Sequence, residues 1–161
     1  PQVMRRFFPN MTQKREKTFI AGLSMGGYGA FKLAMLTNQY AYAASFSGAL
    51  SYDFTLNNEI GEQDAYWQGL FGNIEAFESS ENNLAEAVKQ ADAKTHYYAW
   101  CGYEDFLFSA NEKAVADFRE KGLSVDYRKN HGKHEWYYWE KQLEVFLEML
   151  PIDYVKEERL S

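Results

Sequence analysis

The chain has 161 residues, 46% apolar and 25% charged, so it is long enough for one domain with a core and is neither disordered nor collagen-like. Its formal net charge of −6 lacks the basic surplus that phosphate backbones require, so nucleic acid is not an expected partner. No apolar run approaches the roughly 20 residues that span a bilayer, so no membrane partner is expected either. The single cysteine, Cys101, excludes an intrachain disulfide and is typical of a reducing compartment, which predicts a cytoplasmic protein.

The first eight residues, PQVMRRFF, have the pattern of the interior of an amphipathic helix, and the first of them is not Met. We therefore expect further residues upstream in the whole protein. A short apolar run over 18–22, bounded by glycine, then predicts a strand that is buried on both faces of a parallel sheet. Apolar spacing over 25–36 predicts a helix, whose glycines at 26, 27 and 29 are expected to allow close approach of neighbouring backbone. A second strand is predicted over 42–46.

Residues 48–80 mix Gly, Asn, Ser and acidic residues with aromatic ones and show no sustained period. This composition predicts a long, cap-like insertion with short helical pieces inside a single domain that spans 1–161. Downstream, a helix is predicted over 83–90 and a strand over 95–101. Helical spacing then runs from Phe108 until Gly122, which has the position of a residue past a helix end.

A fourth strand is predicted over 123–128, and a strongly apolar stripe from Trp136 to Leu150 predicts a last helix that Pro151 ends. Strands and helices therefore alternate through most of the chain. This alternation predicts an α/β fold, with a mostly parallel sheet and helices on both of its faces.

The turn between the first strand and the first long helix reads Gly22-Leu23-Ser24-Met25-Gly26, which is G-x-S-x-G in the context that this motif requires. A serine on a sharp strand-to-helix turn projects its hydroxyl clear of the backbone, and the flanking positions are expected to be small. The helix that begins there leaves the Met25 N–H free to bind a developing oxyanion. The alternative is a glycine-rich turn that only joins strand to helix, but the context favours a nucleophile at Ser24.

A serine nucleophile of this type is followed along the chain by an acid and then by a histidine. Glu104 and Asp105 both come directly after the third strand, where a loop carboxylate can reach a histidine. His131 and His134 both lie in the loop before the last helix, from which an imidazole can reach serine and acid. Order and context alone separate neither the two acids nor the two histidines.

Three blocks of this sequence together resemble a known family: AGLSMGGYGA at 21–30, CGYEDFL at 101–107 and GKHEWYYW at 132–139. They resemble the bacterial tributyrin esterases of the esterase D group of α/β-hydrolases, a group that includes S-formylglutathione hydrolases. The resemblance implies that Asp105 is the acid and His134 the base, and that no metal or cofactor takes part. It also implies that strands upstream of Ser24, with a loop that carries a second oxyanion N–H, belong to the whole fold and are missing from this chain.

The function expected from this resemblance is hydrolysis of short-chain acyl esters, so the expected partner is a small-molecule ester. An S-formylglutathione hydrolase-type thioesterase or an acyltransferase would use the same three residues, and a non-catalytic scaffold is the alternative from another class. Aromatic residues from Tyr52 to Phe71 either wall an acyl pocket or pack a surface excursion. Cys101 is expected to be a buried small hydrophobic residue, not a second nucleophile. A homo-oligomer stays open.

Overall fold

Four parallel strands alternate with helices along the part of the chain that the computed structural model describes, which comprises residues 2–51, 69 and 71–153. The strands are β1 (Phe19–Leu23), β2 (Tyr42–Phe46), β3 (His96–Gly102) and β4 (Val125–Asn130). The helices are α1 (Gln2–Phe7), α2 (Met25–Thr37), α3 (Ile74–Glu78), α4 (Leu84–Ala87), α5 (Phe108–Glu120) and α6 (Trp136–Met149). Two single turns of 3₁₀ helix, Arg15–Lys17 and Val88–Gln90, complete these elements.

The sheet has the strand order β1-β2-β3-β4, so each strand pairs with the next one along the chain. Connections between parallel strands are almost always right-handed. Because every step moves one strand in the same direction, the helices that connect the strands all pack on one face. The carboxyl ends of β1, β3 and β4 lead into the turns that carry the candidate site residues.

Two apolar clusters cover the two faces of the sheet. Helices α2, α4 and α5 contribute to the first cluster, which also contains Tyr97 and Ala99 of β3. Helix α6 packs on the other face, against Tyr98 and Trp100 of the same strand. The alternation along β3 therefore turns neighbouring residues to opposite helix layers, and the predicted sheet with helices on both faces is confirmed.

Some predicted boundaries differ from those observed. Leu123 was placed in the fourth strand, but its N–H donates to the Phe118 carbonyl at 2.9 Å and closes the end of α5. Gly122, with a φ of +87°, makes that closure possible, as its predicted position past the helix end requires. The single helix predicted over 83–90 is α4 followed by a 3₁₀ turn.

The predicted insertion over 48–80 falls partly within the described residues. There it contains α3, one of the short helical pieces expected, whose N-terminus is capped by the Asn73 side chain, which accepts the Ala76 N–H at 2.8 Å. Positions 52–68 and 70, with most of the aromatic residues of this segment, lie outside the described residues. No helix in the described ranges is long and apolar enough to cross a membrane.

Candidate active site

Ser24 lies on the turn between β1 and α2 with φ 51° and ψ −121°, a backbone conformation that is costly for any residue with a side chain. Its N–H donates to the Phe46 carbonyl at 3.0 Å, and its carbonyl accepts the Ala49 N–H at 3.2 Å. Hydrogen bonds to the segment that follows β2 therefore hold the turn in this strained conformation. Ser24 itself stays half-buried, so its hydroxyl is within reach of a ligand.

The glycines around Ser24 do not all have the same purpose. A Cβ on Gly22 would lie 2.2 Å from the Gly26 carbonyl oxygen, and one on Gly27 would lie 2.5 Å from the Ser45 hydroxyl. These two positions admit no side chain. A Cβ on Gly26 or Gly29 would meet nothing within 4 Å, so the expectation that these two glycines allow close approach is wrong. The tight packing concerns the strand end and the second turn of α2.

The Met25 N–H is at the first position of α2. The first N–H groups of a helix have no acceptor within the helix, and the helix dipole adds positive potential there. This N–H directly follows Ser24, so it can donate to an oxygen bound beside the serine hydroxyl. The geometry is compatible with the oxyanion role predicted for Met25.

Ser24, His134 and Asp105 form a continuous hydrogen-bonded chain. The Nε2 atom of His134 lies 3.1 Å from the Ser24 Oγ, and its Nδ1 atom lies 3.0 Å from Oδ2 and 3.1 Å from Oδ1 of Asp105. With Nδ1–H donated to the carboxylate, Nε2 is free to accept the serine proton. Such a chain can transfer a proton from a hydroxyl to an imidazole.

The Asp105 side chain is fully buried, and that of His134 is 20% exposed. The Asp105 carboxylate also accepts the Leu107 N–H at 2.9 Å, which fixes its orientation within its own loop. A buried carboxylate with these two partners stabilises positive charge on the imidazole more strongly than an exposed one would. The acid is therefore held ready beside the histidine.

Two aromatic rings hold the His134 ring. Phe106 packs against it at 4.6 Å between ring centroids, and the edge-on Trp139 ring lies 4.8 Å away. The Trp139 Nε1–H donates to the Ser47 hydroxyl at 3.1 Å, and buried Ser47 has a φ of 48°. Sequence reasoning assigned Trp139 only to the apolar stripe of the last helix and gave Phe106 and Ser47 no role. The adjacency of Phe106 to the predicted acid was the one available signal.

Glu104 and His131, the other two candidates, pair with each other instead. The Glu104 Oε1 lies 2.7 Å from the His131 Nδ1, and its Oε2 accepts the Gly132 N–H at 2.7 Å. Hydrogen bonds from His131 and then from the Gly132 backbone hold the pKa of Glu104 below its ordinary value. The His131 side chain is 89% exposed, so this pair lies at the surface beside the buried one.

Cys101 lies at the end of β3 and is fully buried. Burial, followed by the negative charge of nearby Asp105, raises the pKa of Cys101 to about 12. A thiol of this kind is not a nucleophile near neutral pH. Among the described residues, no group of three or more His, Cys, Asp and Glu side chains is arranged to hold a metal ion.

A cavity of about 60 Å³ begins at Met25, the residue after the serine. Its described walls are mainly apolar and come from α2, from the segment after β2 and from the region of α3 and α4. They are Met25, Tyr28, Ala49, Leu50, Phe71, Phe77, Asn82, Asn83 and Leu84. The Tyr28 hydroxyl donates to the Asn82 carbonyl at 2.7 Å, so a polar group of this wall is already engaged.

Comparison with solved structures agrees with this architecture. The serine hydrolase FphF of Staphylococcus aureus, described as fluorophosphonate-binding, matches with a TM-score of 0.77 and 22% identity over 94% of this chain and 62% of its own. The S-formylglutathione hydrolase FrmB of the same organism matches with a TM-score of 0.70 and 20% identity over 92% and 61%. The fold is that of an α/β-hydrolase, of which these residues form a part.

The family model described as "Putative esterase" matches residues 3–150. An acetyl esterase of Caldicellulosiruptor saccharolyticus is 34% identical over 154 residues, which are 86% of this chain and 56% of that protein. The chain belongs to this esterase family. It spans about half the length of the curated relative that it matches.

Proposed function

We propose that the whole protein is a serine carboxylesterase that cleaves small acyl esters through an acyl-enzyme. The observation that carries this proposal is the hydrogen-bonded chain from Asp105 through His134 to Ser24, on a strained turn at the end of a strand. Membership of the esterase family supports it independently of that geometry.

In the first half of the reaction, Ser24 Oγ attacks the acyl carbon while His134 Nε2 accepts its proton. The carbonyl oxygen becomes an oxyanion that the Met25 N–H binds, and a second donor comes from the upstream loop that the resemblance implies. Collapse of the tetrahedral intermediate breaks the bond to the alcohol oxygen, which receives the proton from His134. The products of this half are the alcohol and acyl-Ser24.

In the second half, water attacks the acyl carbon and His134 again accepts the proton. Collapse breaks the bond between the acyl carbon and Ser24 Oγ, which receives the proton back, and the carboxylic acid leaves. Throughout, Asp105 orients the imidazole and stabilises its positive charge. No metal or other cofactor takes part in these steps.

The acyl group that we propose is short and apolar. A water-sized group needs about 10–15 Å³ of such space, so the cavity of about 60 Å³ beside Met25 takes about four of them. Tyr28, Leu50 and Phe77 close its apolar walls. The relative described as an acetyl esterase supports the same class of substrate.

The decisive experiment combines an active-site label with an ester panel. Wild-type protein and Ser24→Ala are incubated with a serine-directed fluorophosphonate, and intact mass reports the adduct. We expect one adduct on the wild type and none on the variant, whereas a non-catalytic scaffold would take up no label. Acetyl, butyryl and octanoyl esters of one alcohol then test the cavity: we expect the octanoyl ester to be poorest, and Phe77→Ala to improve it relative to the acetyl ester.

The same residues would serve a thioester or an acyl transfer to an alcohol, because the acyl-enzyme is common to all three. S-formylglutathione and an added alcohol therefore belong in the panel as competing substrates. A preference for the thioester by kcat/KM would replace the carboxylesterase proposal with a thioesterase. Product analysis with the added alcohol separates transfer from hydrolysis.

We further propose that residues 1–161 belong to a single domain, in which 48–80 form a cap-like insertion, and that upstream residues complete the sheet. Within the described ranges, β1 pairs only with β2, and an apolar groove runs between β1 and α6 past Leu23, Trp136 and Leu143. An unpaired apolar edge is an aggregation hazard, so a neighbouring strand is expected there. Intact mass under denaturing conditions tests this: a polypeptide larger than 18.7 kDa, or a second one beside it, is expected.

A further inference from the structure

The loops that carry Asp105 and His134 touch through two glycines. A Cβ on Gly102, at the end of β3, would lie 2.1 Å from the Gly132 carbonyl oxygen. A Cβ on Gly132 would lie 2.9 Å from the Trp100 ring. Two backbones therefore meet with no side chain between them. Small changes in this contact shift one loop relative to the other.

Glu104 ties the two loops together at this contact. Its N–H donates to the Gly132 carbonyl at 3.1 Å, and its Oε2 accepts the Gly132 N–H at 2.7 Å. Both polar groups of the Gly132 backbone are thus bound by one residue of the acid loop. The neighbouring Tyr103 N–H donates to the Asn130 carbonyl at 2.9 Å and extends the same seam.

The position of this clamp along the chain gives it leverage on the site. Glu104 directly precedes Asp105, and Gly132 precedes His134 by two residues. The distance from His134 to Asp105, 3.0 Å, is therefore set by loops that are joined next to both residues. A misplacement of about 1 Å in a reacting group can cost about 100-fold in rate.

We propose that Glu104 is a positioning residue, whose carboxylate holds the His134 loop in register with Asp105 through the Gly132 N–H. This proposal rests on the proposed esterase function and deepens it. The charged acceptor makes the bond to the Gly132 N–H the stronger kind of hydrogen bond. The second contact, to His131, is an exposed ion pair of the kind that contributes little.

The test uses three changes at Glu104 in the whole protein. Glu104→Ala and Glu104→Met remove the acceptor, and Met nearly keeps the side-chain size. Glu104→Gln keeps an oxygen that can accept the Gly132 N–H. The matched control is Asp126→Ala, because Asp126 has the same 43% side-chain exposure and a surface partner, Arg128, on β4.

We expect Glu104→Ala and Glu104→Met to lower kcat for an acetyl ester by roughly 10- to 100-fold with KM little changed. Glu104→Gln, His131→Ala and the Asp126 control should stay within about threefold of the wild type, as losses of surface pairs do. The fluorophosphonate labelling rate should fall in parallel with kcat. Thermal unfolding, measured on each variant, identifies any that do not fold.

A Glu104→Met protein that folds and keeps wild-type kcat would overturn the proposal, as would equal losses in Glu104→Gln and Glu104→Met. If Glu104→Met does not fold, the Gln variant still decides, because it must retain kcat. A wild-type protein that takes up no label refutes the esterase proposal itself. Labelling of the wild type with an unchanged rate in Glu104→Met refutes only the positioning role.

Discussion

Two acid–histidine pairs lie side by side in this molecule, and they share their chemistry but not their surroundings. Asp105 and His134 are separated by 3.0 Å, and Glu104 and His131 by 2.7 Å, so the exposed pair has the shorter contact. Burial distinguishes them: the Asp105 side chain is fully buried and that of Glu104 is 43% exposed. Only His134 has a third partner, the Ser24 hydroxyl.

The comparison teaches that a short distance alone does not define a reactive pair. In a buried pair the carboxylate interacts with the imidazole through protein, where charges are weakly screened. In an exposed pair water screens the interaction, and such pairs contribute little to stability. The neighbouring residues could therefore take different roles, proton transfer for one pair and positioning for the other.

The largest expected effect comes from removing the third partner. Ser24→Ala should lower ester turnover by roughly 10⁴-fold or more, because the hydroxyl carries the covalent step and does little for packing. Steady-state kinetics and the thermal midpoint, measured together on the whole protein, check this. Retention of a tenth of the activity would remove Ser24 as the nucleophile.

The next effect separates the two pairs directly. Asp105→Asn should lower kcat by roughly 10³- to 10⁴-fold, because the amide favours the wrong imidazole tautomer. Glu104→Gln, the matched change in the other pair, should be within about threefold of the wild type, because it alters only a surface pair. His134→Ala should likewise be far more damaging than His131→Ala. A reversed order in either comparison would mean that the acid or the base has been misassigned.

The contrast between the pairs also marks how far the sequence could predict this site. Order and context narrowed the candidates to adjacent residues, Glu104 or Asp105, because strand ends in a parallel sheet present loops at one edge. They could not say which carboxylate turns inward. That depends on the turn itself, in which the Leu107 N–H binds Asp105 and the Gly132 N–H binds Glu104. The resemblance assigned the roles, and direct tests of them remain those given above.

Other features depend on contacts between segments that are distant in the chain. The alternation of strands and helices predicted the parallel sheet, since periodicity is a local property. The bond from Trp139 to Ser47 joins residues 92 positions apart, and no pattern in either segment indicates it. The freedom of Gly26, in contrast to Gly22, likewise follows only from which backbone lies opposite each one.

A smaller effect is expected at Cys101, which lies in β3 beneath the acid loop. Cys101→Ala should leave kcat largely intact and lower the free energy of unfolding by about 1–3 kcal/mol, because it leaves a small void in a fully buried position. Chemical denaturation followed by fluorescence measures this cost. Strong inactivation of a protein with unchanged stability would instead give the thiol a direct part in the chemistry.

The smallest expected effect is the dependence of stability on acid pH that Glu104 contributes. Its pKa is lower in the folded protein than its ordinary value of 4.5, chiefly through the hydrogen bond with His131. The stabilisation is therefore fully present above about pH 4.5 and is lost as the pH falls through the lowered folded-state value. Glu104→Gln should reduce the fall of the thermal midpoint below pH 4.5 and leave neutral pH nearly unaffected. Glu120→Gln, at the exposed last residue of α5, is the control, and an unchanged acid limb in the Glu104 variant would show that this carboxylate is not held in its charged form by its neighbours.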